Sequence, residues 1–188
     1  MEQVEVASLA EWDAWLAKHH EKHATIWLVL PKKVGKQHTF PFVEVVKTAL
    51  CYGWVDSVPG KVDDLRYKVR FSPRNPKSNW SAVNKEFVAE LRADGRMKPA
   101  GEALVTYAKA NGQWDALNDV DALVVQPDLA EAFAKTPGSK AQWDAFPRSV
   151  KRGQLEQIYT AKRAETRAKR IRLVVESAAE GRRAFFER

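Results

Sequence analysis

Residues 65–71 read Leu-Arg-Tyr-Lys-Val-Arg-Phe, an unbroken alternation of apolar and cationic side chains. Successive side chains on a β-strand point to opposite faces, so this pattern fits a strand with one buried face and one charged face. A helix would scatter the same residues around its circumference. Arg66, Lys68 and Arg70 therefore share a face. Upstream, "WVDSV" (Trp54–Val58) reads as a partner strand with Pro59-Gly60 as the turn, which gives a β-hairpin.

The surrounding segments set the fold class. Ser8 and Glu11 stand at capping-box spacing, and Leu9, Trp12, Trp15 and Leu16 recur at helical intervals, which predicts a helix to about His20. "ATIWLVLPKK" reads as a buried strand and a turn follows around Gly35. Pro41 then opens a helix whose Phe42, Val45, Val46, Ala49 and Leu50 make one apolar stripe ending near Gly53. Further helices are predicted from Ser81 to Asp94 and from Pro99 to about Asn111. From Pro127 onward four helical stretches follow, punctuated by Pro and Gly. The expectation is an α+β fold: residues 1–111 form a domain with a small sheet and packed helices, and 112–126 form a connection. Residues 127–181 form an all-helical basic unit, and 182–188 a flexible tail.

The 188-residue chain carries a formal net charge of +7, and the charge is polarised. Residues 147–188 hold twelve Lys or Arg against five Glu, and residues 61–98 hold ten against five acidic residues. Such a distribution favours an anionic small molecule or an acidic partner, with solubility alone as the plain alternative. The longest apolar runs, such as Thr25–Leu30, fall far short of the roughly 18 residues of a membrane span. One cysteine, Cys51, allows no intrachain disulfide, and the first residues lack the plan of a secretory signal, so a cytoplasmic location is expected.

The irregular stretch "RFSPRNPKSNWS" (70–81) leaves the cationic strand and enters a helix at Ser81. A helix start presents free backbone N–H groups and the positive end of a dipole. The expected ligand-binding set is Trp54, Asp56, Ser57, Arg66, Arg70, Arg74, Ser78, Trp80, Ser81 and Asn84. Arg70 and Arg74 would clamp an anion, Ser78 and Ser81 would add hydroxyls, and Trp54 or Trp80 would give a flat wall. Asp56 would meet Arg66 or Arg70 across the hairpin. The plain alternative makes the same residues structural: an ion pair, a proline-stiffened loop, a helix cap and a core tryptophan.

Other candidates carry less. Cys51 precedes the helix stop at Gly53, where the dipole's negative end raises a thiol pKa, so a buried apolar role fits better than a nucleophile. His19 and His23 stand four apart and His38 lies beyond them, but no Cys cluster or H-E-x-x-H pattern joins them, so no metal is expected. Walker A, G-x-G-x-x-G and G-x-S-x-G patterns are absent from the sequence, so no cofactor is expected and only Asp56 stands as a general base. Lys162, Arg163, Arg167, Lys169, Arg170 and Arg172 lie on a basic helix that fits a nucleic-acid backbone, although Glu165 and Glu176 interrupt its field.

Four stretches, "ALCYGWVDS", "RYKVRFSPRNPKSNWSAVNK", "GRMKPAG" and "AKRAETRAKRI", resemble the bacterial YdeI/OmpD-associated family of bacteriocin-protection proteins, in order and over nearly the whole chain. The resemblance implies a stress or bacteriocin-protection role. It assigns no catalytic role to the motif residues. The expected function is a cytosolic, non-catalytic protein that binds an anionic small molecule or acidic partner at an Arg/Ser/Trp cleft. The alternatives are a nucleic-acid binder using the C-terminal helices, and an enzyme acting on a phosphorylated or carboxylated substrate with Asp56 as base.

Overall fold

The computed structural model describes residues 2–32 and 41–186, so the turn expected around Gly35 lies outside the described residues. The chain divides into two compact units, Met1–Asp115 and Ala116–Arg188. The first is α+β and the second is helical among the described residues.

The first unit runs β1 (Glu2–Glu5), α1 (Leu9–His19), β2 (Ile26–Pro31), α2 (Phe42–Cys51), β3 (Trp54–Lys61), β4 (Arg66–Pro73), α3 (Ala82–Ala93) and α4 (Pro99–Ala110). Its strands form one sheet in the order β1-β2-β4-β3, with β1 parallel to β2 and the other pairs antiparallel. Helix α1 starts where Ser8 Oγ accepts from the Glu11 N–H at 3.1 Å, while the Glu11 carboxylate accepts from the Ala7 N–H at 2.7 Å. Its Trp12 and Leu16 are fully buried, each burial stabilising the fold by about 1.5–3 kcal/mol. The Trp12 indole N–H also donates to the Val45 carbonyl at 3.1 Å, tying α1 to α2. Helix α2 ends at Gly53, whose φ of +75° suits glycine and turns the chain into β3.

The hairpin differs from expectation at its turn. Strand β3 continues through Pro59 and Gly60 to Lys61, and a register shift between Asp56 and Pro59 accommodates the proline, which has no N–H for the ladder. The reversal falls instead at residues 62–65. There Asp63 Oδ1 accepts from the Leu65 and Arg66 N–H groups at 2.9 and 2.7 Å, an Asx-type turn.

Period two governs the sheet. Ile26, Leu28 and Leu30 of β2 and Val69 and Phe71 of β4 point into one core with Trp12, Leu16, Val45, Leu50, Val88, Leu91 and Val105 of the four helices. The intervening residues Trp27, Val29, Lys68 and Arg70 take the other face. Trp27 and Val29 lie outside the core cluster.

The second unit contains α5 (Asn118–Asp121), α6 (Pro127–Lys135), α7 (Ser139–Asp144), α8 (Arg148–Tyr159) and α9 (Ala164–Ala179). Leu117 and Val120 sit in its core with Leu129, Phe133, Trp143, Leu155, Ile158 and Val174. Much of the segment expected to be a connection thus folds as part of this unit. Gln154 of α8 is fully buried: its Oε1 accepts from the Trp143 indole N–H at 2.9 Å, and its Nε2 donates to the Ala184 carbonyl at 3.1 Å. That bond holds the chain after α9 against α8, where Phe186 packs on Gly153. No helix among the described residues is long and apolar enough to cross a membrane.

Candidate functional site

Strand β4 builds a cationic face because its alternate residues Arg66, Lys68 and Arg70 point away from the core. Opposite them on β2 stand Pro31, Val29 and Trp27, and Gly60 of β3 faces Lys68. The Lys68 ammonium lies 4.8 Å from the centre of the Trp27 ring. Gly60 leaves room for this arrangement: a Cβ there would sit 3.3 Å from the Lys68 stem and 3.5 Å from the Trp27 ring. Arg70 Nε donates to Ser57 Oγ at 2.9 Å, and Ser57 Oγ donates to the Arg70 carbonyl at 3.2 Å. Among the described residues, neither Lys68 nor Arg70 has a carboxylate within ion-pair distance.

Arg66 differs. It bonds Asp63 at 2.8 Å and Glu5 at 3.1 Å. The Asp63 bond, joined by Glu5, raises the Arg66 pKa, and the Arg66 guanidinium holds the Asp63 carboxyl below its usual range. Asp56 is not the partner of these cations. It stands opposite Phe71, and directly opposed residues of an antiparallel pair share a face, so Asp56 lies on the face that Phe71 buries. The expected meeting of Asp56 with Arg66 or Arg70 is therefore corrected, and a general base at Asp56 loses the guanidinium neighbours it required.

The loop that follows is a brace. Arg74 is 7 % exposed, its guanidinium carbon lies 4.1 Å from the centre of the Trp80 ring, and its Nη2 donates to the Asn79 carbonyl. Its Nε is buried without a partner among the described residues, and burial pulls its pKa down to about 10, so it stays cationic at neutral pH. Trp80 is itself buried, tilts against Trp114 at 5.1 Å and donates its backbone N–H to the Gln113 carbonyl at 3.2 Å. Ser81 Oγ caps α3 by accepting from the Asn84 N–H at 3.3 Å. The Ser78 N–H closes a turn on the Asn75 carbonyl at 2.9 Å. Trp54 is buried on the opposite side of β3, with its indole N–H on the His20 carbonyl at 3.1 Å. The structure therefore separates the expected set: Ser57, Arg66 and Arg70 share the open face, while Trp54, Arg74, Trp80, Ser81 and Asn84 hold the scaffold.

Trp27, which shares the cationic face, fell outside the expected set because "TIWLVL" reads as uniformly buried. The usable signal was its place between Ile26 and Leu28, which sends its ring to the face opposite theirs.

Elsewhere, Cys51 is buried and donates its S–H to the Lys47 carbonyl at 3.3 Å; burial raises its pKa, the wrong direction for a nucleophile. His19 stacks on Trp15 with ring centres 4.9 Å apart, His23 tilts against the same ring at 5.3 Å, and His23 Nδ1 lies 3.1 Å from Glu2. No group of three metal-ligating side chains occurs among the described residues, and His38 lies outside them. On α9, Arg167 binds Asp128 in a bidentate pair at 2.6 and 2.9 Å, and Arg170 donates to the Gln157 carbonyl, which commits both within the helical unit. A groove of about 580 Å³ separates α6 from α9, floored by Ala132, Ala168, Ile171 and Val175.

Fold and site define a two-unit α+β protein whose N-terminal sheet turns one face away from its core and carries there, among the described residues, two cations without a carboxylate partner, Lys68 and Arg70. Residues 4–104, more than half of the chain, match a domain of unknown function, DUF8412, and the chain belongs to that family. Residues 122–181 match the family described as bacteriocin-protection, YdeI or OmpD-associated. The resemblance to that family therefore holds for the helical unit and not for nearly the whole chain. The "GWVDS" and "SNWSAVNK" stretches fall within the other match. No curated protein and no solved structure matches.

Proposed function

We propose that the protein is a non-catalytic binder of an anionic ligand, held on the outer face of the sheet by Lys68 and Arg70 with the Ser57 hydroxyl. One observation carries the reading: these two cations are next-but-one neighbours on β4, and neither is neutralised by a carboxylate among the described residues. Arg70 is already oriented by Ser57, which lowers the entropy lost on binding. A single exposed ion pair contributes only about 0.2–1 kcal/mol, so useful affinity requires both cations together. Binding at such an exposed site weakens as salt rises. A stress or bacteriocin-protection role in the cytoplasm belongs to the same proposal, supported by the family match of the helical unit and by a lone thiol kept buried.

The test is calorimetric titration of the protein with inorganic tripolyphosphate at low and moderate salt. Binding that falls at least tenfold in Lys68→Ala/Arg70→Ala, with the fold intact by circular dichroism, is the expected result. No binding, or equal binding by the double variant, overturns the reading.

A further inference from the structure

We propose that the anion held on this face is the phosphate of a nucleotide unit whose base lies against Trp27. This rests on the anion-binding reading above and adds the second half of the ligand. Trp27 and Arg70 are direct partners across β2 and β4, and such partners have Cβ atoms about 4.5–5.5 Å apart. A molecule that joins a flat ring to a phosphate through a sugar-sized spacer reaches both side chains at once.

The ring is suited to the task. Trp27 stands outside the hydrophobic core, so its indole is not needed to fill it. The group over its ring is the Lys68 ammonium at 4.8 Å, on a flexible stem that can swing away. A base that displaces this ammonium exchanges a cation–π contact for a stack, and the freed ammonium turns to the phosphate that Arg70 and Ser57 hold. Gly60 contributes by having no side chain, since a Cβ there would press on both the Lys68 stem and the indole edge. Base stacking on sheet aromatics flanked by cations is a general solution for nucleotide units, because every base offers a π face. Such a unit comes in two forms, a free mononucleotide or a single strand.

Three probes separate the possibilities: AMP, a fluorescein-labelled twelve-residue thymidine oligonucleotide, and inorganic tripolyphosphate. Each is titrated into wild type, Trp27→Leu, Trp27→Phe and Arg70→Ala, with thermal unfolding confirming that each variant is folded. Trp27→Leu is expected to weaken AMP or the oligonucleotide at least tenfold while leaving tripolyphosphate within about twofold, and Trp27→Phe to retain most of the nucleotide affinity. Arg70→Ala is expected to weaken all three. Affinity confined to the oligonucleotide identifies the strand as the source, and AMP binding of equal strength identifies the free nucleotide. Tripolyphosphate binding without any Trp27 dependence for nucleotides overturns this proposal alone. Failure of tripolyphosphate to bind wild type overturns the anion-binding reading and this one with it.

Discussion

The guanidinium carbon of Arg74 lies 4.1 Å from the centre of the Trp80 ring, and this contact stands in for the carboxylate that a buried cation normally requires. The guanidinium otherwise reaches only the Asn79 carbonyl and leaves Nε unpaired among the described residues. Replacing the chain by an apolar one of similar length removes both the buried charge and the unmet donor, whereas truncation leaves a cavity. Arg74→Met is expected to change stability by less than about 1 kcal/mol and Arg74→Ala to cost about 2–4 kcal/mol, measured by urea unfolding. Equal losses in the two variants would mean that the guanidinium itself stabilises the loop.

Alkaline pH separates Arg74 from Tyr52, because burial favours the neutral form of both and so lowers the one pKa and raises the other. Burial, reinforced by the hydroxyl bond to Asp13 at 3.1 Å, pushes the Tyr52 phenol up to about 12. The native state then keeps a proton that the unfolded chain releases near 10. Stability from Tyr52 is fully present below pH 10 and is lost as pH rises through about 12. Burial pulls Arg74 down to about 10, below its ordinary value, so from about pH 10 upward the unfolded chain binds more protons and stability rises with pH. Tyr52→Phe is expected to flatten the alkaline loss, and Arg74→Met to steepen it, in unfolding measured from pH 9 to 12. A Tyr52→Phe profile identical to wild type would refute the assignment.

Gln154 joins Trp143 to Ala184 inside the helical unit, using its oxygen for one and its nitrogen for the other. Leucine is close in size but can make neither bond, so the indole N–H and the Ala184 carbonyl would both be left without this partner. Each unsatisfied buried group costs about 1–3 kcal/mol. Gln154→Leu is expected to lose about 2–4 kcal/mol and to raise protease cleavage after α9, since the Ala184 bond anchors that segment. Unchanged cleavage would show that the Phe186 contact is sufficient by itself.

Elements with strong local signals were legible from sequence: the Ser8 cap of α1, the Gly53 stop of α2, the Ser81 cap of α3 and the charged face of β4. Strand β1 was not, because only Val4 of its four residues is buried, and pairing with β2 rather than propensity makes it a strand. The turn was misplaced because Pro59-Gly60 is a turn signal that a bulge overrides here. The site was half legible. Spacing put Arg66, Lys68 and Arg70 on one face, but the register that carries Asp56 to the other and brings in Trp27 is a long-range property. Likewise the irregular stretch at 70–81 suggested donors for a ligand, while its Arg74 and Trp80 spend their contacts on each other.

Two glycines with equally close neighbours are expected to behave oppositely. A Cβ at Gly101 of α4 would sit 2.4 Å from the Cys51 carbonyl oxygen and 2.8 Å from that of Leu50, both backbone atoms at the end of α2. A Cβ at Gly153 of α8 would sit 2.3 Å from Phe186 Cζ, the far end of a half-exposed side chain near the end of the chain. Alanine favours a helix over glycine by roughly 0.5–1 kcal/mol at either position. At Gly101 the clash dominates, because the carbonyls cannot withdraw without parting α4 from α2, and overpacking of this kind costs about 1–3 kcal/mol or more. At Gly153 the ring can rotate away, and the propensity gain offsets the lost contact. Gly101→Ala is expected to lower the melting temperature by at least about 4 °C and Gly153→Ala to stay within about 3 °C of wild type. A tolerated Gly101→Ala would contradict the close approach of α4 to the α2 carboxyl end.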